Sequence, residues 1–345
     1  MKITDLFGID LPVIQAPMAG AQASAMAIAV SSAGGLGSLP AAMLTADGLR
    51  REIAVIRAKT DRPFNVNFFC HTVPAADAAR EAAWRETLAP YYDELGVDPA
   101  AAPTGPARAP FGEELAAVVE ELRPPVVSFH FGLPGEALLE RVRRTGATIL
   151  SSATTVEEAR WLAARGVDAV IAQGVEAGGH RGMFLTGDVT TQAGTLALLP
   201  QIVEAVDVPV IAAGGIADAR GVRVALDLGA AGVQAGTAYL LCPESTIGAV
   251  HRAAMLGEPA RHTALTNVIT GRPARGIVNR IMRELGPMRD GVPPFPLATN
   301  AVMPLRAAAE ARGSGDFSPL WAGQNASRCR VVPAAEVTRE LAAKV

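Results

Sequence analysis

The chain has 345 residues, 31 Lys and Arg against 34 Asp and Glu, a formal net charge of −3 and 50% apolar residues. That length suits one large α/β domain with a small addition, or two modest domains. The composition excludes a disordered chain, and the absence of any basic run removes the electrostatic footing for nucleic acid.

The N-terminal "MKITDLFGID" lacks the apolar core of a signal peptide. No charge occurs from Leu11 to Ala46, but Pro12, Gln15, Pro17, Gln22 and Pro40 interrupt the stretch. A spanning helix needs about 20 mostly apolar residues without such breaks, so a buried strand–helix–strand is expected and no membrane span. Strands are predicted at 12–18, 35–40, 64–69, 126–132, 148–153, 169–174, 209–215 and 232–241. Helical periodicity lies between them, as in "TVEEARWLAARG" (155–166) and "DARGVRVALDLGA" (218–230). The second opens on Asp218 as an N-cap and closes near Gly229 as a C-cap. Between 70 and 125 a helical "AAWRETLAPYYDEL" precedes a Pro-rich stretch, 98–110, expected as an exposed loop. Residues 243–285 read as helices and turns, 286–297 as a loop, and 298–311 and 334–345 as helices.

Eight apolar strands, each followed by a helix or crossover, imply a parallel sheet buried on both faces. Their spacing fits a (β/α)8 TIM barrel with a smaller, mainly helical cap; a doubly wound open sheet is the alternative, since a strand count does not show closure. The expected division is a barrel over 1–243, rejoined by a C-terminal helix in 317–345, and a cap over 244–316. Cys70, Cys242 and Cys329 are widely spaced and form no C-x-x-C. Neither a disulfide framework nor a zinc site is indicated, no metal-ligand spacing appears, and a reducing cytoplasm is the plain expectation.

In a barrel the active site sits at the C-terminal ends of the strands. The chain's core polar residues gather there: Gln15 and Met18, Asn65 and Asn67, Ser128 and His130, Gln173 and then His180, Gly214 and Gly215, and Gln234, Gly236 and Thr237. Loops after the seventh and eighth strands commonly bind phosphate. Here "AAGGIADARG" offers main-chain N–H groups at Gly214, Gly215 and Ile216, and "QAGTAY" offers Gly236 and the Thr237 hydroxyl. Two ordinary tight turns are the alternative. Asn67 and Gln173 carry amides able to meet a heterocycle edge, or to satisfy the core. His130, inside an apolar strand, reads as a hydrogen-bonded structural histidine, with a substrate contact as the alternative. His180 ends "IAQGVEAGGHRG" (171–182), a turn with four glycines, and suits a general base or electrostatic stabiliser near neutral pH. His71, His251 and His262 are assigned no role.

The segments "IQAPMAG", "AGGLGSL", "FNVNFFCH", "VSFHFGLP", "AQGVEAGGHRG", "PVIAAGGIAD" and "GVQAGT", with "GRPARGIVNR" and "LWAGQ" later, together resemble the nitronate monooxygenases, formerly 2-nitropropane dioxygenases. The match covers nearly all of the chain except roughly 75–115 and the last fifteen residues. The resemblance implies a barrel binding FMN noncovalently. Contacts would come from Met18, Ala19, Gly20, Asn67, Gln173 and Gly178, and from Gly215, Gln234, Ala235, Gly236 and Thr237 around the phosphate. It makes His180 the catalytic residue, with the glycines letting its turn lie along the flavin. His180 would take the α-proton of a neutral nitroalkane, or hold a preformed nitronate as the protonated imidazolium. The implied reaction takes an alkyl nitronate and O2 to a carbonyl compound and nitrite. The implied partners are a small-molecule substrate and O2, with room for a homodimer. An NAD(P)H-dependent reductase of a quinone or enoyl thioester, and a flavin-binding protein without turnover, are the competing expectations. Family members that line the substrate site with cap tyrosines and a lysine differ here, where Tyr occurs only at 91, 92 and 239 and Lys only at 2, 59 and 344.

Overall fold

The structure, a computed structural model, describes residues 2–101 and 108–343. Each short apolar run becomes a strand that a following helix returns to the same end of the sheet. The barrel strands are β1 (Val13–Gln15), β2 (Gly37–Pro40), β3 (Phe64–Phe69), β4 (Val126–His130), β5 (Thr148–Ala153) and β6 (Ala169–Gln173). After a two-residue strand, β7 (Gly179–His180), come β8 (Val210–Ala213) and β9 (Gly232–Ala235). They pair in the order β1-β9-β8-β6-β5-β4-β3-β2, every pairing parallel. A parallel bridge between Ile14 and Leu36 joins β1 to β2, with Gln15 N–H donating to the Leu36 carbonyl and Leu36 N–H to that of Val13, both at 2.9 Å. The sheet therefore closes, and the barrel expectation holds over the open sheet.

Alternation sorts the strand residues. Val13, Val66, Phe68, Val127, Phe129, Val170, Ala172, Ala212 and Val233 pack outward among the helices. Ile14, Leu36, Val126, Leu150, Ala169, Ile171, Ile211 and Ala213 fill the interior, where the helix Ile3–Phe7 adds Ile3 and Phe7. With a period of two, the next inward positions toward the C-terminal rim are Ser128 and His130, Ser152 and Gln173. Asn67 and Gln234 alternate with outward neighbours and face inward too. The polar ring at the top of the barrel follows from strand parity. The helix Ala219–Asp227 starts where expected, its N-cap Asp218 accepting from the N–H groups of Arg220 and Gly221, and Gly229 follows it at φ +95°.

The region read as helices and turns, 243–285, is corrected by two strands: β10 (Thr263–Thr266) and β11 (Ala274–Ile277) pair antiparallel, and β11 pairs antiparallel with β7. A second core joins Trp84, Leu88 and Tyr92 of the helix Ala78–Leu95 to Val268, Ile281, Val302, Leu305 and Phe317. The helix Ala334–Leu341 returns to the barrel, where the Thr338 and Tyr239 hydroxyls meet at 3.0 Å. Of the Pro-rich stretch, Pro99–Ala101 forms a 3-10 turn, while 102–107 lie outside the described residues.

Candidate active site

A deep cavity opens at the C-terminal end of the barrel, roofed by residues of 247–251 and 306–325. Met18, Ala19, Gly20, Asn67, Gln173, Gly178, Gly215, Gln234, Ala235, Gly236 and Thr237 all line it, as do His130 and His180. Gln15 and Asn65 do not reach it. Gln15 accepts from the Ser38 and Gln22 nitrogens, and Asn65 donates to the Ser38 hydroxyl.

One wall is a cradle of free donors. Among the described residues, the main-chain N–H groups of Gly215, Ile216, Gly236 and Thr237 make no hydrogen bond within the protein. The Thr237 hydroxyl accepts from Gly323 N–H at 2.9 Å, which leaves its own hydrogen to donate. Asn325 fixes the turn by donating to the Gly215 carbonyl. Gly214 and Gly215 hold φ of +120° and +70°, a backbone that glycine adopts without strain. Further along, the Gln234 Oε1 is buried without a partner, and Asn67 gives its Nδ2 to the Ser128 carbonyl and hydroxyl. A buried polar atom left bare is costly unless a ligand satisfies it. The cradle and the Gln234 amide suit an anionic group and the polar edge of a heterocycle.

The opposite wall presents His180. It sits on β7, opposite Ala274 of β11, so it belongs to a paired strand rather than to a flexible turn. Its carbonyl accepts from Gln173 Nε2 at 3.1 Å and His130 Nε2 at 3.2 Å. Gln173 Oε1 accepts from Gly182 N–H at 2.7 Å, so both ends of that amide already brace the turn. A carbonyl only accepts, so His130 carries its hydrogen on Nε2, and its Nδ1 accepts from the Ser152 hydroxyl at 3.1 Å. Burial pushes His130 down to about 3. It is a neutral structural histidine that positions His180, and its hydrogen bonds leave no free ring nitrogen for substrate.

Three of the four turn glycines answer to protein rather than to ligand. A Cβ on Gly174 would strike Thr195, one on Gly178 would lie 2.5 Å from Gly323 N, and one on Gly182 would lie 2.9 Å from His130 Cε1. The turn is thin because chain packs against it on several sides. Gly179 is there for its φ of +73°.

The His180 ring meets the Thr270 hydroxyl through Nε2 at 2.9 Å. Phe295 and Trp321 flank it, with ring centroids at 5.1 and 5.5 Å. Burial, then the charges of Arg108 and other neighbours, hold His180 well below the usual histidine pKa. That shift favours the neutral imidazole over the imidazolium expected to hold a nitronate. Phe131 stands beside it at φ +71°, a strained setting for a phenylalanine, and Arg272 lies 4.0 Å over its ring.

Sequence reasoning missed the arginines that hold this wall. Arg181 is fully buried and donates to the carbonyls of Gln173 at 2.6 Å and Gly174 at 2.7 Å, and to Gln192 at 2.8 Å. Arg275 donates to the Val175 carbonyl at 2.8 Å, and Arg272 to that of Met183. Burial lowers Arg181 and Arg272 to about 10, so both remain charged. The only signal was the pair of arginines in "GRPARG", which is mute about carbonyl partners. Among the described residues, no cluster of three His, Cys, Asp or Glu could hold a metal, and no helix is long and apolar enough to cross a membrane.

A closed (β/α)8 barrel whose cavity, at the C-terminal ends of its strands, is lined by free main-chain donors and by His180 has the form of a barrel enzyme. The sequence profile of nitronate monooxygenase matches residues 1–344. A nitronate monooxygenase of Pseudomonas aeruginosa is 46% identical, covering 99% of this chain and 97% of its own. One of Paraburkholderia phytofirmans is 44% identical over 97% of this chain and 92% of its own. A crystal structure of nitroalkane oxidase from Streptomyces ansochromogenes superposes with a TM-score of 0.89 at 41% identity, covering 99% of this chain and 97% of the other. The chain belongs to the nitronate monooxygenase family, a family of flavin oxidoreductases.

Proposed function

We propose that this protein is an FMN-dependent enzyme that oxidises alkyl nitronates with O2 to a carbonyl compound and nitrite. The observation that carries the reading is one cavity lined both by His180, whose pKa is held below the ordinary value, and by the free N–H groups of Gly215, Ile216, Gly236 and Thr237. The N–H groups of Gly215, Ile216, Gly236 and Thr237, with the Thr237 hydroxyl, would hold the phosphate. Met18, Ala19, Gly20, Asn67, Gln173, Gly178, Gln234 and Ala235 would surround the ring system. When bound, the flavin supplies the electron chemistry with O2. The chain's own residues place the substrate, exclude water and move the proton. A neutral His180 takes the α-proton of a nitroalkane at a ring nitrogen, while Gln173 and His130 keep its main chain still. Phe69, Phe131, Phe295 and Trp321 around it make an apolar setting for an alkyl chain.

The division into a barrel over 1–243, rejoined by 317–345, and a cap over 244–316 is kept, with the helix Ala78–Leu95 as the barrel's contribution to the cap core. A cytoplasmic setting suits three cysteines that are all unpaired, Cys70, Cys242 and Cys329. The test is aerobic turnover of propyl-1- and propyl-2-nitronate, with nitrite and O2 uptake measured, and acid extraction of the bound flavin. Nitrite release with FMN in the extract is expected. FAD in the extract, or rapid anaerobic bleaching by NAD(P)H without nitrite release from any nitronate, defeats the reading.

A further inference from the structure

A nitronate is an anion, and a neutral His180 offers it no charge. Some other group must. The acidic side chains on the cavity wall are Glu176 and Glu310. Glu176 caps the helix Thr195–Ala205, accepting from Thr195 N–H at 2.9 and 3.0 Å and from its hydroxyl at 2.8 Å. Glu310 accepts from Arg306 and from the Ser318 hydroxyl, both at 2.7 Å. Arg306 is thereby paired. Arg108 is not. It lines the cavity beside Asn67, Phe69, His130 and His180, and among the described residues its guanidinium has no carboxylate and no hydrogen-bond acceptor. Its one side-chain contact of note is the Phe295 ring, whose centroid is 5.8 Å from its Cζ. The same ring stands 5.1 Å from that of His180, so guanidinium and imidazole are both neighbours of Phe295. Arg108 also heads the charges that act on His180.

We propose that Arg108 is the substrate-anion holder: its free guanidinium donors bind the two nitronate oxygens and set the reacting carbon toward His180 and the flavin. The proposal rests on the nitronate reading given above. A guanidinium suits the task because its planar fork matches a planar two-oxygen anion, and it stays protonated under working conditions. An unpaired cation next to an apolar wall is costly in the free enzyme. Binding of the anion relieves that cost, and a neutral nitroalkane gains much less from it. Arg108 thus discriminates between protonation states of one substrate, while His180 interconverts them.

The experiment uses flavin-loaded enzyme, in which the phosphate cradle is filled. Nitrate, a planar oxyanion of the shape of the nitronate group, is titrated and its binding read from the flavin difference spectrum. In Arg108→Met, nitrate affinity is expected to weaken by roughly 10- to 100-fold, the usual worth of hydrogen bonds to a charged group. Arg108→Lys keeps a point charge and recovers part of the loss. In steady state, KM for a preformed nitronate rises in Arg108→Met by a similar factor, while KM for the parent nitroalkane moves by less than about threefold, since a neutral ligand forgoes that charged contact. Unchanged nitrate binding in Arg108→Met, or equal rises in KM for both substrates, overturns the proposal. Should Arg108→Met fail to fold, Arg108→Gln takes its place with the same outcomes. A wild type that releases no nitrite from nitronates defeats the functional reading, and the nitrate titration still decides whether Arg108 holds anions.

Discussion

His180 is fixed at its main chain before its ring does any chemistry. Two side-chain donors converge on its carbonyl, and its neighbour Arg181 donates its N–H to the Pro273 carbonyl at 2.8 Å. The ring, proposed above as a base, meets the Thr270 hydroxyl and packs near Phe295 and Trp321. Because burial and nearby cations lower its pKa, the basic form persists as pH falls through 6.5. For a neutral nitroalkane, kcat/KM is therefore flat across that pH and declines only in more acid solution. An unperturbed histidine would halve it near 6.5. His180→Asn keeps a polar side chain that takes no proton, and should lower nitroalkane turnover by roughly 10²–10⁴, the usual worth of a positioned base. Oxidation of a preformed nitronate should fall far less, and flavin content should hold. Steady-state kinetics on both substrates across pH check this, and equal losses on both would remove the base role. The histidine itself was legible in the sequence, since it ends a glycine-rich turn at a strand's C-terminal end. Its supports were not: Thr270 and Arg272 are about ninety residues away, and nothing local marks a side chain that binds a distant carbonyl.

At the scale of elements, β3 and β5 were readable as the short β-prone runs "FNVNFF" and "TILSSA" between stretches of helical pattern. β1 and β9 are shorter than their apolar runs suggest. β9 stops at Ala235 because the next residues leave the ladder to present Gly236 and Thr237 to the cavity, as the 3-10 turn Thr237–Tyr239. β10 and β11 went unread because four residues each of "TALT" and "ARGI" carry little pattern, and their pairing is set by docking on β7. The turn after β8 was legible from its paired glycines, and it supports a prediction. Gly215→Asp puts a carboxylate beside free N–H groups meant for an anion, at φ +70° and with its Cβ 3.3 Å from that of Glu176. Flavin content should fall to near zero. Gly215→Asn is the control, because asparagine tolerates left-handed backbone and carries no charge. It should keep a measurable share of the flavin. Equal flavin loss in both variants would assign the effect to backbone strain rather than to charge.

Four of the five histidines have their pKa lowered in the folded protein. Burial lowers His71 and His251 to about 4 and His130 to about 3, and holds His180 well below its usual value. In the unfolded chain each would titrate near 6.5. Between that pH and the folded values the unfolded state binds more protons, so stability rises with pH there and is lost as the solution is acidified. His130 alone should cost about 2 kcal/mol at pH 5 relative to pH 8. The carboxylates with lowered pKa, such as Glu94 and Glu120, also lose stability on acidification, but in a lower window, below their ordinary values, and add little above about pH 5. The flavin-free protein should therefore melt at least roughly 3 °C lower at pH 5 than at pH 8, given the per-residue unfolding entropy of a chain this long. His130→Asn should melt lower than wild type at pH 8, since the His180 carbonyl and Ser152 lose a partner, yet its own drop between pH 8 and pH 5 should be smaller by the His130 share. Thermal melts of both proteins at the two pH values decide it. A drop of the same size in both would mean that His130 is protonated in the folded state. His130→Asn would then no longer isolate a neutral clamp on the catalytic strand.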